Sequence, residues 1–250
     1  MTDRLHLHSI AVALACLGAA AATNAGVPSV TISVTQAGSG SIQLVPVGTP
    51  GDGAVSYSTG DFAIWGMDAS FDLEWSQDSS TGNDMFGGGA RIRNRSSTTQ
   101  RFTIEMLIST ASGIGSPALG GGGVSGMLEG GTAGGTFSSI GSAAAWSAFI
   151  ADLDGRRTVA SLLSGSGGSP FTVSAAASDF TTIPGETFGD PIPSLPIGAL
   201  GTARGIRMDF TLSAGAEASL FTNFVVQVIP APGAMAMLAV AGLGAGRRRR

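Results

Sequence analysis

A chain of 250 residues with 43% apolar content can build one domain, or two small ones, around a sizeable core. Glycine occurs 39 times, only 12% of residues are charged and lysine is absent, a mixture that argues short strands and many turns rather than long helices. The formal net charge is -4, but without Asp3, Arg4 and the four terminal arginines the body keeps eight arginines against sixteen carboxylates, near -8, which argues against a nucleic-acid partner.

At the N-terminus, Arg4, His6 and His8 precede an apolar run from Ile10 to Ala22 broken only by Gly18, and small residues follow through Ala25. A short positive region, an apolar segment and an A-x-A-like end form a secretory signal peptide, residues 1–25, cut near Ala22 or Ala25 and read by the secretion machinery. Cys16 raises lipid attachment as an alternative. Against it, Leu14 stands two places before the cysteine instead of three, and the apolar run continues past it. Cys16, His6 and His8 are the only cysteine and histidines, so their removal leaves no disulfide, thiol, imidazole or His/Cys metal site. Ser-His-Asp and Cys-His catalysis drop out, carboxylate chemistry is all that remains, and a non-enzymatic protein without cofactor is expected.

The body, residues 26–229, reads as strand after strand. Val30 to Thr35 alternates apolar and hydroxyl residues, and Ser41 to Val47 is similar before the turn cluster at 48–53. Asp61 to Met67 and Ser70 to Ser76 pair, with Phe62, Ile64, Phe71, Leu73 and Trp75 as inward residues. Gly82 to Gly89 breaks the run, and Arg91 to Arg95 looks like a solvated edge strand. Phe102, Ile104, Met106 and Ile108 give the cleanest alternation. The glycine-rich stretch from Gly113 to Gly135 keeps enough apolar spacing at Val124, Met127 and Leu128 to favour short strands over a linker. Trp146 to Leu153 and Thr158 to Leu163 flank Asp154-Gly155, a hairpin signal. Pro170 to Ala177 is a further strand, the proline-rich stretch from Ile183 to Pro196 a long loop, and Ile206 to Ser213 and Ser219 to Ile229 the closing strands. About ten short strands and no long helix predict an all-β body, a β-sandwich of jelly-roll-like form.

Candidate sites in the body are few. Asp152-x-Asp154-Gly155 resembles the start of a calcium loop, but the glutamate that would complete an EF-hand is absent, and a plain hairpin turn is the competing reading. Asp78, Asn83 and Asp84 form a second acidic loop with the same alternatives. Glu74, Glu105 and Glu129 are the strand-borne glutamates that a carboxylate glycosidase would draw on. Trp65, Trp75, Trp146 and Tyr57 could offer a flat platform to a sugar ring in a carbohydrate-binding module associated with exopolysaccharide; at strand spacing the competing role is core.

The C-terminus carries the most specific pattern. Pro230-Ala231-Pro232 precedes fourteen uncharged residues, Gly233 to Gly246, and then Arg247, Arg248, Arg249 and Arg250. With residues 229–232 the uncharged stretch reaches eighteen, the short end of a membrane-spanning helix, with the arginines held on the cytoplasmic side. Together with the signal peptide, residues 230–250 resemble the PEP-CTERM sorting signal of bacterial exported proteins, the family of exosortase substrates. The family's Pro-Glu-Pro stands here as Pro-Ala-Pro. The resemblance implies transient membrane retention, recognition by an exosortase-like sorting enzyme near Pro230 to Gly233, removal of the tail, and release or attachment at the cell surface or extracellular matrix, often alongside exopolysaccharide. It implies nothing about the chemistry of the body.

Overall fold

A computed structural model of the chain describes residues 27–78, 81–110 and 114–229. The expected signal peptide and the expected sorting signal with its helix lie outside the described residues. Seventeen strands and no helix occur among the described residues, arranged as two antiparallel sheets packed face to face, a β-sandwich.

The first sheet runs in the order β12 (Gly155–Ser164), β11 (Ala144–Asp152), β16 (Ala203–Leu212), β8 (Gln100–Ser109), β1 (Val30–Gln36) and β2 (Gly40–Leu44). Where β11 leaves β16, β10 (Gly135–Ser139) takes its place and pairs in turn with β13 (Thr172–Ala175). The second sheet runs β14 (Phe180–Phe188), β9 (Pro117–Glu129), β17 (Glu217–Val228), β7 (Asn83–Asn94), β6 (Met67–Asp78), β4 (Ala54–Ser58) and β3 (Thr49–Pro50). Two short strands extend it, β15 (Leu195–Ala199) beside β9 and β5 (Phe62–Ile64) beside β6.

Period-two patterning produces the core. Val30, Ile32 and Val34 of β1, and Phe102, Ile104, Met106 and Ile108 of β8, are all fully buried, as are Phe71, Phe86 and Phe224 from the facing sheet. Each large side chain removed from water contributes roughly 1.5–3 kcal/mol. Aromatic contacts cross the interface: Phe188 lies 6.0 Å from Trp146 of the first sheet and 6.1 Å from Phe224 of its own. Trp146 Nε1 donates to Thr222 Oγ1 at 2.6 Å, which satisfies a polar atom that burial would otherwise strand.

Several expectations are corrected. Arg91 to Arg95 is not an edge: β7 is paired on one side by β6 and on the other by β17, and Arg91 and Arg93 project from the outer face in mid-sheet. Polar alternation marks any half-exposed strand, so an outer face and an edge look alike in sequence. Gly87 to Gly89 do not break the run but sit inside β7. Gly88 shows why glycine is required there: φ is +145°, and a Cβ would collide with the Asp72 carbonyl oxygen of β6. The glycine-rich stretch forms one strand of 13 residues, β9, rather than several short ones. The predicted long loop shrinks to residues 189–194, because β14 and β15 accommodate Pro184 and Pro196 on a sheet edge with a register shift in each.

Candidate functional site

The sites proposed from sequence do not converge. Trp75 and Trp146 are buried, and their indole N–H groups are engaged by Asp84 and Thr222, so neither can face a ligand. Tyr57 is buried too and donates to the Pro28 carbonyl at 2.6 Å. Trp65 alone is partly open, at 38%, in the turn between β5 and β6 at φ 51°, with its ring against Gly40. Asp152 and Asp154 close the β11–β12 hairpin, where the Asp154 amide donates to Asp152 Oδ1 at 2.9 Å; the turn residues are Leu153 and Asp154. Asp84 is no loop residue: it points inward from β7 and accepts from Trp75 Nε1 and Arg204 Nη2. Among the described residues, no group of three or more His, Cys, Asp or Glu could hold a metal ion.

A different surface stands out on the outer face of the second sheet. Register places Phe221 of β17 between Gly89 of β7 and Ser125 of β9, with Asp72 of β6 beyond Gly89. The next row reads Thr187, Gly123, Asn223, Gly87, Glu74, from β14 across to β6. The row on the other side places Met127, Ser219, Arg91 and Ser70 together. Phe221 is 60% exposed in mid-sheet because its cross-strand neighbours, a glycine and a serine, have no bulk to cover the ring.

Two open depressions meet at Phe221 and share it with Gly89. One, of about 390 Å³, is floored by Gly88, Gly89 and Gly123 and walled by Gly185, Thr187 and Ile192 on the β14 side. The other, of about 320 Å³, lies toward β6 among Asp61, Ser70, Asp72 and Arg91. The β14 wall stands where a bulge at Pro184 and Gly185 shifts the register between Ile183 and Glu186. Glu186 accepts the Leu163 amide at 2.7 Å, which directs its carboxylate toward β12. On the β6 side Arg91 is held by Asp61 at 2.8 Å and reaches Glu217 at 3.8 Å. Asp72 Oδ1 accepts Ser58 Oγ at 2.6 Å and leaves its second oxygen open.

The arrangement is an exposed aromatic ring on a glycine floor, ringed by hydroxyls, an amide and carboxylates. It can stack on the C–H face of a ring compound while accepting hydrogen bonds from that compound's hydroxyls. Sequence reasoning passed over Phe221, although one signal was present: Phe224, Val226 and Val228 share one parity along the strand, and Phe221 has the other.

No family model and no curated protein matches the chain. Among solved structures it is similar to TmCBM61 in complex with β-1,4-galactotriose, at 10% identity over 63% of this chain and 88% of that one, with a TM-score of 0.23. It is also similar to the CBM22-1–GH10 modules of a Clostridium thermocellum endo-1,4-β-D-xylanase complexed with xylohexaose, at 13% identity over 72% of this chain and 27% of that one, with a TM-score of 0.26. A third is the enzymatically active domain of bacteriophage CBA120 tailspike protein 4, at 11% identity over 79% of this chain and 19% of that one, with a TM-score of 0.23. At such identities and scores these likenesses say nothing of what this chain binds or does.

Proposed function

We propose that the chain is an exported, non-enzymatic bacterial surface or matrix protein whose jelly-roll-like sandwich binds polysaccharide through the outer face of its second sheet. The observation that carries the binding reading is Phe221, 60% exposed between Gly89 and Ser125 with open depressions on both sides. A single exposed phenylalanine on a flat surface would mean little; one lodged in a polar-walled trough has the chemistry of a sugar platform. Hydrolysis is disfavoured, because Asp72 and Glu74 stand side by side on β6 on one flank of the trough, while the opposite flank offers Gly123, Ser125 and Thr187. Export and sorting rest on the signal peptide and on Pro230 to Arg250. In this reading an exosortase-like enzyme acts at the Pro-Ala-Pro while the tail holds the protein at the membrane.

Two measurements test the two halves. Phe221→Ala should fold as the wild type does and lose retention on polysaccharide; equal retention of both overturns the binding half. Deleting Gly233 to Arg250 should move the protein from the envelope to the medium, and an unchanged distribution overturns the sorting half.

A further inference from the structure

The trough has a length and a charge pattern that narrow its ligand. Apart from Ile192 and Asp61 in loops, the residues lining the two depressions come from β14, β9, β17, β7 and β6, five adjacent strands. With neighbouring strands about 4.8 Å apart, that is a crossing of about 19 Å, longer than one sugar ring. Phe221 stands at its middle, not at a closed end, and both depressions are open troughs.

The charges around Phe221 fall on the acidic side. Asp72 lines the trough from β6, Glu74 stands exposed one row along the same face, and among the described residues no cation pairs with either. Arg91, the one cation among the described residues that lines either depression, is matched by Asp61 and Glu217. Arg93 stands two rows from Phe221 on the same face, between Glu217 and Asp68 in register, with Glu129 beyond Glu217. On the β14 side Glu186 is taken up by the Leu163 amide. An acidic polymer entering this trough would bring carboxylates or sulfates against unpaired carboxylates, while the guanidinium that lines the depressions, Arg91, is already held by Asp61, and Arg93, without an ion pair among the described residues, stands two rows away. Neutral hydroxyls instead find acceptors in Asp72, Glu74 and Asn223, hydroxyl partners in Ser70, Ser125 and Thr187, and the Phe221 ring beneath them.

Resting on the polysaccharide reading above, we infer that the trough takes the interior of an extended neutral polysaccharide and excludes uronate-rich and sulfated chains. Asp72 and Glu74 act as both hydrogen-bond acceptors and charge filter. The ligand lies across the strands, bound along its length rather than by its end.

Affinity gel electrophoresis of the full chain tests this, in gels carrying a soluble β-1,4-glucan, a galactan or a mannan, or instead polygalacturonate or chondroitin sulfate. A neutral polymer should retard the wild type and polygalacturonate should not. Phe221→Ala should weaken retardation about tenfold. Asp72→Asn with Glu74→Gln, both exposed and off the core, should weaken the neutral interaction and admit polygalacturonate. Hexasaccharides of the retarding polymer should compete far better, per sugar ring, than the monosaccharide. Phe221-dependent retardation of the wild type by polygalacturonate overturns the charge inference while leaving polysaccharide binding intact. A double variant that still excludes polygalacturonate removes the filter role from Asp72 and Glu74. Equal competition by the monosaccharide overturns binding along the chain. No retardation by any of the five polymers overturns this inference and the binding function together.

Discussion

Arg204 of β16 donates to Asp84 of β7 and so ties the two sheets through the interior of the sandwich. The guanidinium is fully buried, and its Nε and Nη1 find no acceptor among the described residues. Asp84 is held on its other side by Trp75 Nε1. Removing one member of a buried pair leaves the other charge stranded, at about 3–5 kcal/mol, whereas exchanging both for apolar residues is often neutral. Arg204→Met and Asp84→Leu should each lower the denaturant midpoint sharply, and the double variant should recover most of the loss. A cycle with no coupling between the two positions would show that they act independently.

Gly88 and Gly89 are adjacent in β7 and should respond oppositely to alanine. A Cβ at Gly88 meets the Asp72 backbone from a positive φ, and overpacking of that kind costs about 1–3 kcal/mol. A Cβ at Gly89 meets only Phe221 Cε1, at 3.8 Å, an ordinary contact, so Gly89→Ala should stay within about 0.5 kcal/mol of wild type. Thermal melts of the two variants make the comparison. Comparable loss at both positions would mean that the outer face is as tightly packed as the inner one.

Two groups set the expected pH limits. Burial pushes the Tyr57 hydroxyl up from 10.0 to about 12, so the folded state favours the neutral phenol. Its contribution is fully present below pH 10 and is lost as pH rises from 10 toward 12; Tyr57→Phe should flatten that alkaline decline. For Asp209, burial raises the carboxyl, but the hydrogen bonds and charges of Arg101 and Arg207 outweigh it and hold it below its ordinary value of 3.8. That contribution is present above the ordinary value and is lost as pH falls below it through the lowered one. Asp209→Asn should therefore reduce the slope of stability with pH below about 4, and an unchanged acid slope would assign acid sensitivity to other carboxylates.

The two-sheet class was legible in the alternation of Val30 to Thr35 and Phe102 to Ile108, because burial on one face writes period two directly into the residues. The Asp154-Gly155 hairpin was legible to within one residue, since turn chemistry is local. The trough was not legible. Its floor joins Gly88 and Gly89 of one strand to Gly123 of another, and only the register against β17 brings them beside Phe221. Tryptophans drew attention by size, yet Trp75 continues the inward parity of Phe71 and Leu73. The smaller ring of Phe221, opposite in parity to Phe224, was left on the surface.

Under the proposed retention by the tail, the place of β17 in the sheet has a mechanical consequence. It is an inner strand, locked by eleven registered pairs to β7 and twelve to β9, and Ile229 just beyond it still donates to the Pro117 carbonyl at 2.8 Å. Tension applied from residue 229 onward would load both ladders lengthwise, in shear, with many hydrogen bonds sharing the force, whereas an edge strand could be peeled one bond at a time. Phe221 lies on this same strand, about 27 Å of extended backbone from Ile229. The drag of a polymer seated on that ring would pass down one continuous strand to residue 229.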